Sequence, residues 1–204
     1  MPNKPLFSQD SSKLQRIVLL RHGETVGRSS VRFFGATDVM LSGLGADQAA
    51  AVAEVIGSQN FDLVVASPLQ RAWRSALIVA PGREIRLEDR FREIDFGRWE
   101  GLTREEIEAR DPKLYSRWEQ QGPKFDFPDG DRREAFRARV VAGLAHLLVM
   151  PVASILIVAH KGIVRTIVEE LSGAALERDQ PPLAGLLELT RTAEQTWKLA
   201  KLTL

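Results

Sequence analysis

The sequence predicts an α/β protein, a three-layer sandwich with a mostly parallel central sheet and helices on both faces. Short, β-branched apolar runs occur at Ile17-Val18-Leu19-Leu20, at residues 62–67 and at residues 154–159. Each is continuously apolar at its centre, as expected of strands covered on both faces. Stretches of helical period separate them. Two roughly alternating runs, at residues 186–189 and 197–202, then predict a hairpin at a sheet edge.

The elements follow in chain order. The polar stretch 1–15 carries two prolines and predicts a flexible arm, leaving residues 16–204 as one domain. After the first strand, Ser42-Gly43 can start a helix with Ala49, Val52, Ala53 and Ile56 on one face. Gly43-Leu44-Gly45 lacks the third glycine of a dinucleotide loop and is read as that helix start. Ser67-Pro68 offers an N-cap and an N1 proline for a helix reaching about residue 80. A strand-like stretch covers 84–90. Thr103-Arg104-Glu105-Glu106 is a capping box for a short helix that stops before Pro112. A helix over 134–149 presents Phe136, Val140, Leu144, Leu147 and Leu148, and another over 162–171 turns Ile163, Ile167, Val168 and Leu171 inward. His146 and Arg74 are read as structural and surface residues.

Composition narrows the function. The chain has 28 Lys and Arg against 27 Asp and Glu, a net charge of +1, which gives no electrostatic case for nucleic acid or an anionic membrane. A bound anion therefore needs a local cluster of basic residues. The absence of cysteine excludes disulfides, a thiolate nucleophile and a Cys-based zinc site. No apolar run has the length of a signal peptide within the first 15 residues or of a membrane span later, so a soluble, cytoplasmic protein is expected.

In a doubly wound sheet, ligands sit beyond the carboxyl ends of the strands. The first strand runs into Arg21-His22-Gly23-Glu24-Thr25, the second into Ser67 with Arg71 a turn later, and the third into His160-Lys161-Gly162. Two of the three histidines thus end separate strands. Arginine offers a planar fork of donors to phosphate oxygens, glycine permits close backbone approach, and a helix start after His160 favours an anion.

These segments resemble the signatures of the histidine phosphatase superfamily, also called phosphoglycerate-mutase-like. Arg21-His22-Gly23-Glu24-Thr25, Ser67-Pro68-Leu69-Gln70-Arg71-Ala72, the stretch from Arg92 to Gly101, and Val158-Ala159-His160-Lys161-Gly162 stand in the family's order. The resemblance implies an α/β sandwich and an enzyme that uses neither metal nor cofactor. It implies His22 as nucleophile forming a phosphohistidine, with Arg21, Arg71 and His160 stabilising the phosphoryl oxygens. Glu93 is selected over Asp95, Glu100 and Glu24 as the acid and base. Nearby Phe91, Ile94, Phe96 and Trp99 are expected to raise its pKa. Gly23, Thr25, Arg28, Gly35 and Lys161 are expected to bind phosphate or substrate.

Three departures concern the substrate. Many relatives have asparagine at Arg28, glycine at Lys161, and Gly-Gly-Glu-Ser where this chain has Pro128-Asp129-Gly130-Asp131. Leaving-group contacts are expected from 28–35 and 115–127, with Arg32, Phe33, Phe34, Tyr115, Trp118 and Lys124 as candidates; Tyr115 and Trp118 are read first as helix packing. The resulting expectation is a phosphomonoesterase acting on a small phosphorylated metabolite, as monomer or homodimer. A bisphosphoglycerate-dependent mutase and a non-catalytic phospho-ligand binder are the alternatives. The short segment between Gly101 and Glu134, together with Phe96-Gly97-Arg98-Trp99-Glu100-Gly101, resembles the small phosphatases, among them α-ribazole phosphatase-like members.

Overall fold

A computed structural model describes residues 13–57 and 59–202; residues 1–12 of the expected arm lie outside it. Leu14 is already fully buried and Gln15 N–H donates to Ala153 O, so packing begins before residue 16. The described strands are β1 Arg16–Arg21, β2 Leu63–Ala66, β3 Ile85–Leu87, β4 Ser154–Ala159, β5 Leu186–Arg191 and β6 Trp197–Leu202. They form one sheet in the order β3-β2-β4-β1-β5-β6. The first four of that order are mutually parallel, β5 runs antiparallel to β1, and β6 pairs antiparallel with β5. The mostly parallel sheet and its terminal hairpin are as the sequence predicts.

Parallel neighbours require crossovers. These are supplied by α1 Gly43–Ile56, α2 Gln70–Val79, α3 Arg104–Arg110, α4 Pro112–Gln121 and α5 Arg133–Leu148; α6 Lys161–Ser172 leads from β4 to β5. Successive strand residues point to opposite faces, so the continuous apolar runs feed two cores. Val18, Leu20, Val64, Leu156 and Val158 pack with Ala49, Val52 and Ile56 of α1 and Ala76 and Val79 of α2. Ile17, Leu19, Val65, Ile155 and Ile157 pack with Phe136, Val140 and Leu144 of α5 and Ile163 and Ile167 of α6. Those two cores are the physical content of the three layers.

Local signals set several boundaries. Ser42 Oγ accepts the Gly45 N–H and caps α1, and Thr103 with Glu106 completes the capping box of α3. Pro112 ends one helix and opens the next, since a proline at the first helical position sacrifices no hydrogen bond. The bounds of α4 are not given by the sequence, which shows only helix packing at Tyr115 and Trp118, because the helix buries no residue outright. The expected cap at Ser67 does not form: α2 starts at Gln70 behind an extended Leu69 and lacks a side-chain cap. The strand expected over 84–90 shortens to β3, after which the chain turns through a 3-10 segment, Asp89–Phe91.

Candidate active site

The strands β2, β4 and β1 lie side by side with their carboxyl ends level, Ala66 opposite Val158 and Ala159 opposite Arg21. The next residues, Ser67, His160 and His22, therefore meet. His22 N–H donates to Ala159 O at 2.9 Å, and Ser67 N–H to Val158 O at 3.0 Å. The two imidazoles sit edge to face, with centroids 5.1 Å apart.

His22 Nδ1 lies 2.7 Å from Gly23 O. A carbonyl only accepts, so Nδ1 carries the proton and Nε2 keeps its lone pair. Burial, then the neighbouring Arg71 and Arg21, hold the pKa of His22 well below the ordinary imidazole value, so the ring is neutral. Burial and Arg71 depress His160 in the same way. His160 Nε2 is 2.7 Å from Ser67 Oγ, which also accepts the Leu69 N–H. A hydroxyl that accepts there is free to donate to Nε2. That donation places the imidazole proton on Nδ1, which is buried without a protein partner.

Arg71 is fully buried, a costly place for a cation unless its donors are matched. Its Nη1 donates to Thr37 O at 2.8 Å, and its Nη2 to Gly35 O at 2.7 Å and Phe34 O at 3.2 Å. The amides of the same loop go to Glu100, which accepts from Gly35, Ala36 and Thr37. Arg21 Nη1 donates to Pro181 O at 2.9 Å. The Nε atoms of both arginines are buried and unpartnered. Unmatched donors on Arg21, Arg71 and His160 around a free imidazole lone pair are complementary to a tetrahedral oxyanion.

Glu93 is buried beside this cluster. Its Oε1 accepts the Ile94 N–H at 3.0 Å and its Oε2 the Gly162 N–H at 2.9 Å. The α6 N-terminus, expected to be open to phosphate, thus gives the Gly162 N–H to Glu93 instead. A Cβ on Gly162 would lie 2.4 Å from Glu93 Oε1, so the glycine makes the approach possible. Arg139, on α5, holds the backbone that carries Glu93 by donating to the carbonyls of Arg90 and Arg92.

A cleft of about 670 Å³ opens over this cluster. Arg21, His22, Glu93 and Lys161 line it, with Arg32, Phe33, Phe34, Phe96, Trp118 and Phe127 farther along its walls. The other expected contacts have different tasks. Arg28 is exposed and outside the lining; its positive φ of 62° forms a turn in which its carbonyl accepts from Val31 and Arg32. Gly23 gives its N–H to Ser75 Oγ and packs on Gly45, where a Cβ would lie 2.4 Å from the carbonyl oxygen. Thr25 is buried and its hydroxyl accepts the Ser29 N–H. Gly35 packs on Ile94 O and passes its N–H to Glu100. Tyr115 and Lys124 do not line the cleft, and Tyr115 packs against Trp118. Asp131, in the divergent loop, accepts the Asp95 N–H and braces the Glu93 segment from behind.

Sequence reasoning missed Ser67 as a partner of His160, Arg139 as a support for Glu93 and Glu100 as the anchor of loop 35–37. For Ser67 a signal existed: it ends a strand beside the one that ends at His160. Arg139 had none, since nothing local marks which carbonyls a helix arginine will meet.

An α/β sandwich whose adjacent strand ends bring together two neutral imidazoles, beside buried cationic donors and a buried glutamate, has the composition of an anion-binding site. The chain belongs to the histidine phosphatase superfamily (branch 1), whose family profile matches residues 17–203. It is 32% identical over 188 residues to glucosyl-3-phosphoglycerate phosphatase of Mycobacterium tuberculosis, covering 85% of this chain and 82% of that protein. Phosphoserine phosphatase 1 of Hydrogenobacter thermophilus is 32% identical over 127 residues, 61% of this chain and 60% of its own length. Among solved structures, α-ribazole phosphatase from Shigella flexneri superposes with a TM-score of 0.81 at 25% identity, over 93% of this chain and 96% of that one. Mycobacterial glucosyl-3-phosphoglycerate phosphatase complexed with VO3 gives 0.78 at 30%, over 92% and 98%. Among the described residues, no helix is long and apolar enough to cross a membrane.

Proposed function

We propose that this protein hydrolyses phosphomonoesters of small metabolites through a phosphohistidine on His22, without a metal or other cofactor. The observation that carries the reading is the 2.7 Å contact between His22 Nδ1 and Gly23 O, which leaves the Nε2 lone pair free in a buried, cation-lined site. Nε2 attacks phosphorus as the ester P–O bond breaks, with Glu93 as the general acid that delivers a proton to the departing oxygen. Water then attacks the phosphohistidine, Glu93 takes its proton, and the P–N bond breaks to return neutral His22 and inorganic phosphate. Arg21 and Arg71 neutralise charge on the oxygens in both displacements, and neutral His160 donates a hydrogen bond to them. The phosphatase names of the relatives support hydrolysis.

The test is phosphate release from a phosphomonoester panel by wild type and His22→Ala, with single-turnover trapping of a base-stable, acid-labile phosphoenzyme. The expected result is turnover and trapping in wild type and neither in the variant. Undiminished release by His22→Ala would overturn the mechanism. Isomerisation of 3-phosphoglycerate without phosphate release would make the protein a mutase.

A further inference from the structure

We propose that the outer half of the cleft is a subsite for a second anionic group on the substrate, a carboxylate or a phosphate, recognised by Lys161, Arg104 and Arg178. This deepens the proposed hydrolysis and rests on it for the position of the reacting phosphate.

The inference comes from sorting the charges of the cleft. Besides Arg21 the lining holds Arg32, Arg104, Arg133, Lys161, Arg165 and Arg178, against the acids Glu93 and Asp179. Some of these cations are already engaged. Arg32 forms a bidentate pair with Glu106, at 2.8 and 3.1 Å. Arg165 spends its donors on the carbonyls of Leu176, Glu177 and Gln180. Arg133 gives its Nε to Phe125 O and stacks on Phe127; it too has no carboxylate within ion-pair distance among the described residues, and its one side-chain hydrogen bond sets it apart from Arg104 and Arg178.

Arg104 and Arg178 are different. Both guanidiniums lie over the one Trp118 ring, at 5.6 and 5.3 Å from its centroid, and neither has a carboxylate within ion-pair distance among the described residues. Lys161 reaches only Asp179, at 3.7 Å, and that carboxylate is 88% exposed. Like charges gathered on one wall repel, and a cation–π contact offsets only part of that cost. The field is shared: burial, then Arg21, lowers the pKa of Lys161 to about 8, opposed by Asp179, with smaller lowering effects of Arg165 and Arg104.

The position suits a leaving group. Lys161 follows His160 and lines the cleft with Arg21 and His22, while Arg104 and Arg178 stack on Trp118 in the same lining. Arg104 and Arg178 are exposed and solvated, so a neutral leaving group gains nothing from them, whereas an anionic one a few bonds from the ester oxygen meets them. Arg28, the other added cation, is outside the lining and takes no part.

The experiment compares three esters on one carbon frame: glycerol 3-phosphate, 3-phosphoglycerate and glycerol 1,3-bisphosphate. Wild-type kcat/KM for the acid or the bisphosphate should exceed that for glycerol 3-phosphate by about 10- to 100-fold at low salt, the worth of one or two charge-assisted contacts. Whichever arm is larger identifies the second anion as carboxylate or phosphate. Arg178→Gln and Lys161→Gly should bring the ratio towards one, and Arg178→Lys should retain part of it. Calorimetric binding of the same compounds to His22→Ala reads the preference without turnover. If nothing is hydrolysed, the function fails while the binding ratio still decides the subsite. Equal values across the three esters, or a ratio insensitive to all of these substitutions, would overturn the proposal.

Discussion

Beneath the cleft, Arg71 is fully buried and divides its guanidinium among the carbonyls of Phe34, Gly35 and Thr37, and His22, which lines the cleft, is fixed by Gly23 O. At the outer end, Arg104 and Arg178 rest on Trp118 and answer to no carboxylate within reach among the described residues. Backbone atoms over-determine the inner charges, so little reorganisation accompanies the reaction. Of the outer charges, Arg104 sits on α3 and Arg178 in the loop after α6, away from the strand ends, while Lys161 opens α6 just after β4. Inner substitutions should therefore damage every substrate alike, while outer ones should change the ranking of substrates.

The largest effect expected is His22→Ala, a loss of at least about 10⁴-fold in kcat for any ester, as for removal of a covalent nucleophile. A loss confined to some substrates would break the inner–outer distinction. Glu93→Gln should cost about 10²-fold or more on alkyl phosphates and clearly less on p-nitrophenyl phosphate, whose leaving group needs no proton. Matched losses on both esters would remove Glu93 as the acid. Ser67→Ala should cost about tenfold in kcat/KM, the worth of one buried hydrogen bond, across the whole panel. The imidazole nitrogen shifts of His160 should report the lost tautomer preference, and Ser67→Thr should restore both readouts.

Two pH effects sharpen the contrast. The inner imidazoles are depressed below 6.5 by burial first, so the acid limb of kcat/KM should fall below the ordinary imidazole range. The same shifts bear on stability. Between the folded and unfolded pKa values the unfolded chain binds more protons, so stability is complete above about 6.5 and declines as pH falls below it. Thermal melts from pH 7.5 to 5 should show that decline, and His160→Asn should make it shallower. At the outer end Lys161 titrates at about 8, so the preference for a second anion should weaken above that pH while glycerol 3-phosphate is affected less. The smallest effect expected is that of chelation: EDTA should leave every rate unchanged, and a loss restored by magnesium or zinc would contradict the mechanism.

The placement of Arg21, His22 and His160 in the candidate site was legible because these residues end or follow strands that announce themselves. Continuous β-branched runs required two covering layers, and the histidines at their ends followed from chain order. Ser67 misled because a serine before a proline is also a good local cap; its hydroxyl went to His160 once β2 and β4 became neighbours. Gly23, Thr25 and Gly35 were assigned to the ligand because their types suit phosphate loops, yet their polar atoms and close approaches are used within the protein. The apolar shell expected to enclose Glu93 is accompanied by two backbone donors to its carboxylate, which residue types alone do not disclose.

The sequence by itself determined the strands, most helix starts and the layered sandwich, and it proposed the groups able to react, because these depend on local periodicity, capping and side-chain chemistry. Tertiary structure alone decided which donors stay unmatched, which tautomer His22 holds, and which cations face the cleft. Those outcomes depend on pairing between residues far apart in the chain: Arg71 with loop 34–37, Glu93 with Gly162, and Arg104 and Arg178 with Trp118. Hydrogen bonds and charges are satisfied in space, and a linear pattern carries no record of which buried donor will find its acceptor first.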